Sequence, residues 1–308
     1  MNTMRTGILL AAMTALFLAV GYALAGEGGM LMALLLAGGM NAFAYWNSDK
    51  MVLRMHNARP VGRQEAPELY GMIERLARNA DMPMPKVFII DEAQPNAFAT
   101  GRNPANAAVA ITRGLLNNAP ADEIAGVMAH ELAHIKNRDT LTMTVTATLA
   151  GAIGFLSQFA LFFTAGRGED RPNPIVAIAV MILAPLAAAI VQMAISRARE
   201  YEADRVGAEI ARDPAALANA LKRIEAIAHT GGRRGRGVEM RRAEDNPATA
   251  HMFIINPLAG VRADNLFRTH PPTAERVRRL MEMAASGPAR PVTSSARRGR
   301  SRIPTTGS

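Results

Sequence analysis

The apolar residues of this chain fall into two different patterns. In the first, four stretches carry no Asp, Glu, Lys, Arg or His: Thr6–Gly26, Gly28–Ser48, Thr140–Gly166 and Pro172–Ser196, each at least 21 residues long. A bilayer's hydrocarbon core needs about 20 helical residues to cross, and a buried helix of a soluble protein is usually shorter and striped with polar residues. The runs therefore predict four transmembrane helices. Thr140–Gly166 opens with alternating Thr, so the third and fourth runs also fit a deeply embedded hairpin. In the second pattern the periodicity is that of a compact α+β unit. Leu69, Met72, Ile73, Leu76 and Ala77 recur at helical spacing within Ala66–Ala80, and Pro83 and Pro85 close that helix. Lys86–Ile90, Asn96–Gly101 and Ala107–Thr112 read as short strands. Asp122 then caps a helix carrying Ile124, Val127, Met128, Leu132 and Ile135.

Charge orients the chain. Met1–Gly26 also has the form of a secretory signal ending at Ala23-Leu24-Ala25, but the next apolar run fits a paired hairpin turning through Gly26–Gly29. Lys50, Arg54, Arg59 and Arg63 follow the second run, Lys136 and Arg138 precede the third, and Arg197, Arg199 and Arg205 follow the fourth. Basic residues collect on the cytoplasmic side, so the segments between the second and third runs and after the fourth both face the cytoplasm. There is no Cys, so any metal site here has only nitrogen and oxygen ligands. The net charge of +9 is partly concentrated in the Gly/Arg-rich stretch around Arg233 and in the tail from Pro288. Without interleaved aromatics or a groove-reading motif, these point away from nucleic acid and toward solvated segments that lean on anionic headgroups.

His130-Glu131-Leu132-Ala133-His134 lies inside the last predicted helix. Residues four apart share a helix face, so both imidazoles can grip one metal ion, and Glu131 stands beside the ion's open position as a general base. A hydrolytic zinc site needs a third protein ligand. If the third and fourth runs fold back on each other, His134 and Glu200 lie at nearly equal distances along the two arms and emerge at the same surface. On a helix Glu200 and Asp204 are about 40° apart, while Glu202 points nearly opposite. Glu200 can then bind the metal and Asp204 can hold a ligand imidazole by hydrogen bond. A strand preceding such a helix can present an extended peptide to the metal, which makes Asn96, Ala97, Phe98 and Ala99 candidates for substrate binding. Phe98 fits a pocket wall and a core position equally well. His56, His229 and His251 read as structural or solvated.

His130–His134 with Asn137-Arg138-Asp139, Arg199–Asp204, and Thr269-His270-Pro271-Pro272 with Arg276 together resemble the HtpX-type membrane zinc proteases, as do Asn96–Gly101 and Asn246–His251. The resemblance runs through about Ala285. It implies a gluzincin-type endopeptidase with one Zn2+ per chain, in a bacterial inner membrane, facing the cytoplasm and acting under stress on damaged or misfolded membrane proteins. It further implies His130, His134 and Glu200 as ligands, Glu131 and His270 in catalysis, and Asp204 and Arg276 in support. Expected partners are membrane-protein and unfolded substrates, the lipid bilayer and other quality-control proteases. A prenyl-protein endopeptidase of the CAAX type shares this metal site, and a non-catalytic zinc scaffold would use the same ligands. The expected fold is a helix-rich zincin-like α+β domain with a small sheet, fused to four transmembrane helices. Residues 1–48 form two membrane helices, 49–139 the first catalytic part, 140–196 two helices or an embedded hairpin, 197–285 the second catalytic part, and 286–308 a basic tail.

Overall fold

The computed structural model describes residues 2–143, 197–233 and 271–286. It opens on helix α1 (Asn2–Met55), which takes in both of the first two uncharged runs. The expected turn at Gly26–Gly29 is absent as an interruption of the helix, although Gly26 has a φ of +61°. Among the described residues no helix is long and apolar enough to cross a membrane, and the third and fourth runs lie outside those residues.

The α+β unit follows the periodicity closely. Helix α2 (Pro67–Asn79) begins with Pro at its first position, where the missing N–H costs nothing, and it buries Leu69, Met72, Ile73, Leu76 and Ala77. After β1 (Arg59–Pro60), the strands are β2 (Lys86–Ile90), β3 (Ala97–Gly101) and β4 (Ala107–Thr112). They form a mixed sheet in the order β1-β2-β4-β3, with β2 parallel to β4 and the other pairs antiparallel. Side chains alternate between sheet faces with a period of two. Val87, Ala97, Ala99, Val109 and Ile111 join the main core. Phe98, Ile90, Ala108 and Ala110 pack on the other face with Val52 and Leu53 from the end of α1.

A short helix α3 (Arg113–Asn118) starts on the Thr112 side chain, which accepts a hydrogen bond from Leu115 N. Helix α4 (Ala121–Lys136) follows. Its cap is Pro120, not Asp122; Asp122 sits in the first turn with Glu123, where a negative charge favours the helix dipole. Helices α5 (Arg197–Ala211), α6 (Pro214–Arg233) and α7 (Thr273–Ser286) complete the described fold. Helix α4 is the buried centre: α5 and α6 pack on it, as do α2 and β3.

Candidate metal centre

Helix α4 places both imidazoles on one face, with ring centroids 4.7 Å apart and ring planes at 85°. Helix α5 crosses that face and brings Glu200 between them. Its Oε1 is 3.6 Å from His134 Nε2 and its Oε2 3.8 Å from His130 Nε2. Ligands at about 2.0–2.1 Å around a tetrahedral zinc stand about 3.3 Å from one another, so small side-chain shifts would close this set on an ion. All three ligand atoms lie within 4.8 Å of one another, on three buried residues. The donor set of two imidazoles and a carboxylate suits zinc.

The far nitrogens of both rings face carboxylates. His130 Nδ1 lies 3.0 Å from Asp204 Oδ1, and His134 Nδ1 lies 3.2 Å from Asp139 Oδ2. Such partners hold each ring with Nε2 turned toward the ion. Asp204 is in turn gripped by Arg276 of α7 through two parallel bonds, Nε to Oδ2 at 2.8 Å and Nη2 to Oδ1 at 2.7 Å. Arg276 is only 1 % exposed. Burial by itself would push the Asp204 carboxyl up, but the Arg276 guanidinium outweighs it and holds the group down at about 2.

Glu131 is buried beside this set, and its Oε2 accepts a hydrogen bond from Ala99 N at 2.9 Å. Burial, with the Glu200 charge added, raises its carboxyl to about 7, against the pull of His134. Burial also drives His130 down, with Asp204 opposing. At His134 burial acts downward too, but Asp139, Glu200 and Glu131 together lift the imidazole to about 9. Without an ion, then, His134 keeps a proton between its ordinary 6.5 and about 9. In that window the folded metal-free chain binds more protons than the unfolded one, so its stability falls as pH rises. An incoming ion must expel the same proton. Metal affinity, measured by competition titration, should therefore rise about tenfold per pH unit across this range; a flat profile would contradict it.

Residues 63–284 match peptidase family M48. The chain belongs to that family. Its membership accords with the resemblance drawn from the His130, Glu200 and His270 motifs. The crystal structure of Ste24p from S. mikatae is similar, with 21 % identity and a TM-score of 0.49, covering 90 % of this M48 chain and 65 % of Ste24p. The chain thus spans less than two thirds of the length of Ste24p.

The structure of this M48-family chain brings His130, Glu131, His134, Glu200, Asp204 and Arg276 together. His270, His251 and most of the Gly/Arg-rich stretch lie outside the described residues, as does the tail from residue 287. Glu202 is exposed and pairs with Arg205, Oε1 to Nη2 at 2.6 Å. Glu202→Ala should change metal affinity and thermal stability little, about 1 kcal/mol or less, because exposed pairs contribute little; a calorimetric and metal-binding comparison with the parent checks it. Phe98 is a core residue, 2 % exposed and 5.3 Å from the His56 ring, not a pocket wall. β3 is the edge strand, yet Ala97–Gly101 are all buried.

Sequence reasoning gave no role to Asp139 or to the Ala99 amide. Asp139 reaches His134 because Arg138, just past the helix end, adopts the left-handed φ of 59°. That turn is a common helix ending, more often made by Gly or Asn. The acid five residues after His134 was the available signal. The Ala99 contact carried none, since it depends on how β3 lies against α4.

Proposed function

We propose that this chain is a zinc endopeptidase of a bacterial inner membrane whose active site faces the cytoplasm. In this reading it hydrolyses peptide bonds of damaged or misfolded membrane proteins. The observation that carries the peptidase reading is the convergence of His130, His134 and Glu200 on one point with a buried Glu131 beside it. A structural site needs no neighbouring base, and a base near pH 7 suits proton transfer at neutral pH.

Zinc, when bound, would polarise the scissile carbonyl and bring the pKa of a water down to about 7. The rest of the work falls to the chain. Glu131 takes the proton as the carbonyl is attacked and returns it to the leaving amine. The Ala99 N–H holds one Glu131 oxygen in place. Asp204 and Asp139 keep the two imidazoles in the ligating tautomer, and Arg276 keeps Asp204 ionised. Asn96 leads into β3, whose Ala97, Phe98 and Ala99 would line up an extended substrate: Ala97 and Ala99 through backbone carbonyls on the edge away from β4, and Phe98 by anchoring the strand in the core. A donor such as His270 would steady the developing oxyanion.

The membrane assignment rests on the four uncharged runs and on α1. Its Met32 is 68 % exposed and Leu35 65 %, with Leu31, Leu34, Leu36, Phe43 and Trp46 also exposed. Large apolar side chains exposed in that number along one helix favour an apolar environment. Membrane-protein and unfolded substrates, the bilayer and neighbouring quality-control proteases are the partners this placement favours. The test is cleavage of an unfolded polypeptide by the purified full chain in detergent. A chelator should stop cleavage and added zinc should restore it; cleavage indifferent to chelation would sink the proposal.

A further inference from the structure

We infer that Gly207 is a positioning residue for the metal centre: by having no side chain it sets the separation of α5 from α4, and with it the reach of Glu200 to the two imidazoles. Gly207 lies seven residues after Glu200 and three after Asp204, on the same buried face of α5. A Cβ at this position would stand 2.8 Å from His130 Cα, 2.9 Å from His130 N and 3.2 Å from Ala129 C. All three atoms are backbone of the helix that bears the ligands, so no side-chain rotation can relieve the overlap. Along α5 the order is consistent. Gly207 meets the backbone of His130, Asp204 meets its Nδ1 at 3.0 Å, and Glu200 meets its Nε2 at 3.8 Å.

Ordinary contact begins near 3.4 Å, so a methyl group here forces the helices apart by about 0.6 Å. Metal sites tolerate about 0.5 Å of displacement in their supporting shell. Glu200 already stands 3.6 Å from His134 Nε2 and 3.8 Å from His130 Nε2, so a further retreat of α5 widens a set that must close on one ion. Glycine inside a helix costs about 1 kcal/mol relative to alanine in an exposed setting, which makes its presence at this crossing a matter of space.

The inference rests on the metal reading of His130, His134 and Glu200, and the experiment separates the two. Co(II) is titrated into the purified full chain, and affinity and the visible spectrum of the bound ion are recorded with the unfolding transition. Gly207→Ala should bind at least tenfold more weakly than the parent, with an altered spectrum. Gly126→Ala is the matched packing control: its Cβ would stand 2.7 Å from Leu217 N, an equally hard overlap, but between α4 and α6. It should lose stability and keep the parent's spectrum when folded. Glu200→Asp draws the carboxylate back by about one methylene without touching the helix crossing and should reproduce the weakened, altered site. That variant decides the matter if Gly207→Ala does not fold. Parent-like binding by Gly207→Ala or by Glu200→Asp, or equal loss of the spectrum in Gly126→Ala, overturns the inference. No Co(II) binding by the parent overturns the metal reading beneath it.

Discussion

Glu131→Gln is expected to lower the cleavage rate about 10²–10⁴-fold, the usual contribution of a positioned acid–base group, while leaving metal affinity close to that of the parent. The amide has the carboxylate's shape and can still accept the Ala99 N–H, so the strand contact survives. It cannot take up a proton. The parent's rate should rise with pH through a value no higher than about 7, because the buried Glu131 carboxyl is already raised to that level and a bound cation can only draw it down. Between the ordinary 4.5 and about 7 the folded chain holds the extra proton, so burying Glu131 costs stability as pH rises. Glu131→Gln removes that cost and should be at least as stable as the parent above pH 7. Rates, bound zinc and denaturation midpoints for the two proteins check all three statements. Undiminished cleavage would remove Glu131 from the chemistry.

The second large effect is on stability. Arg276→Met should destabilise the fold by roughly 3–5 kcal/mol, the usual result of stranding one member of a buried ion pair. Asp204 is 3 % exposed and loses both bonds that hold it near 2. In the parent the low Asp204 value contributes stability above its ordinary 3.8, lost as pH falls through about 2. In the variant, burial is opposed only by the His130 contact, so the carboxyl rises from its parent value and the stability Asp204 contributes above pH 3.8 should shrink. Adding Asp204→Asn should recover much of the loss, since no charge is left stranded. Metal affinity in the double variant should remain about 10–100-fold low, as His130 has lost its carboxylate partner. A loss under 1 kcal/mol in Arg276→Met would show the pair to be dispensable.

Local patterning was enough for much of this protein. The 3.6-residue period marked the buried face of α2 residue by residue, and short apolar runs located β2 and β4 to their ends, because both are rules of neighbours along the chain. The same periodicity put His130 with His134 on one face and separated Glu200 and Asp204 from the exposed Glu202. Where competing local rules applied, the reading slipped. Asp122 looked like a cap but sits within the first turn, and Gly26–Gly29 looked like a turn but lies within α1.

What remained needed the folded chain, because it depends on separations in space between residues distant in sequence. Arg276 and Asp204 are 72 residues apart and Ala99 and Glu131 32 apart, and no period connects them. The assignment of Phe98 to the core turns on α1 packing the outer face of the sheet. Asp139 depends on one left-handed residue, and Gly207 on how closely two helix backbones approach. The amino-acid order alone determined which side chains could bind a metal and which helix face would carry them. Only the tertiary structure decided how those faces meet, since helix crossing distance and strand placement are set by packing across the core.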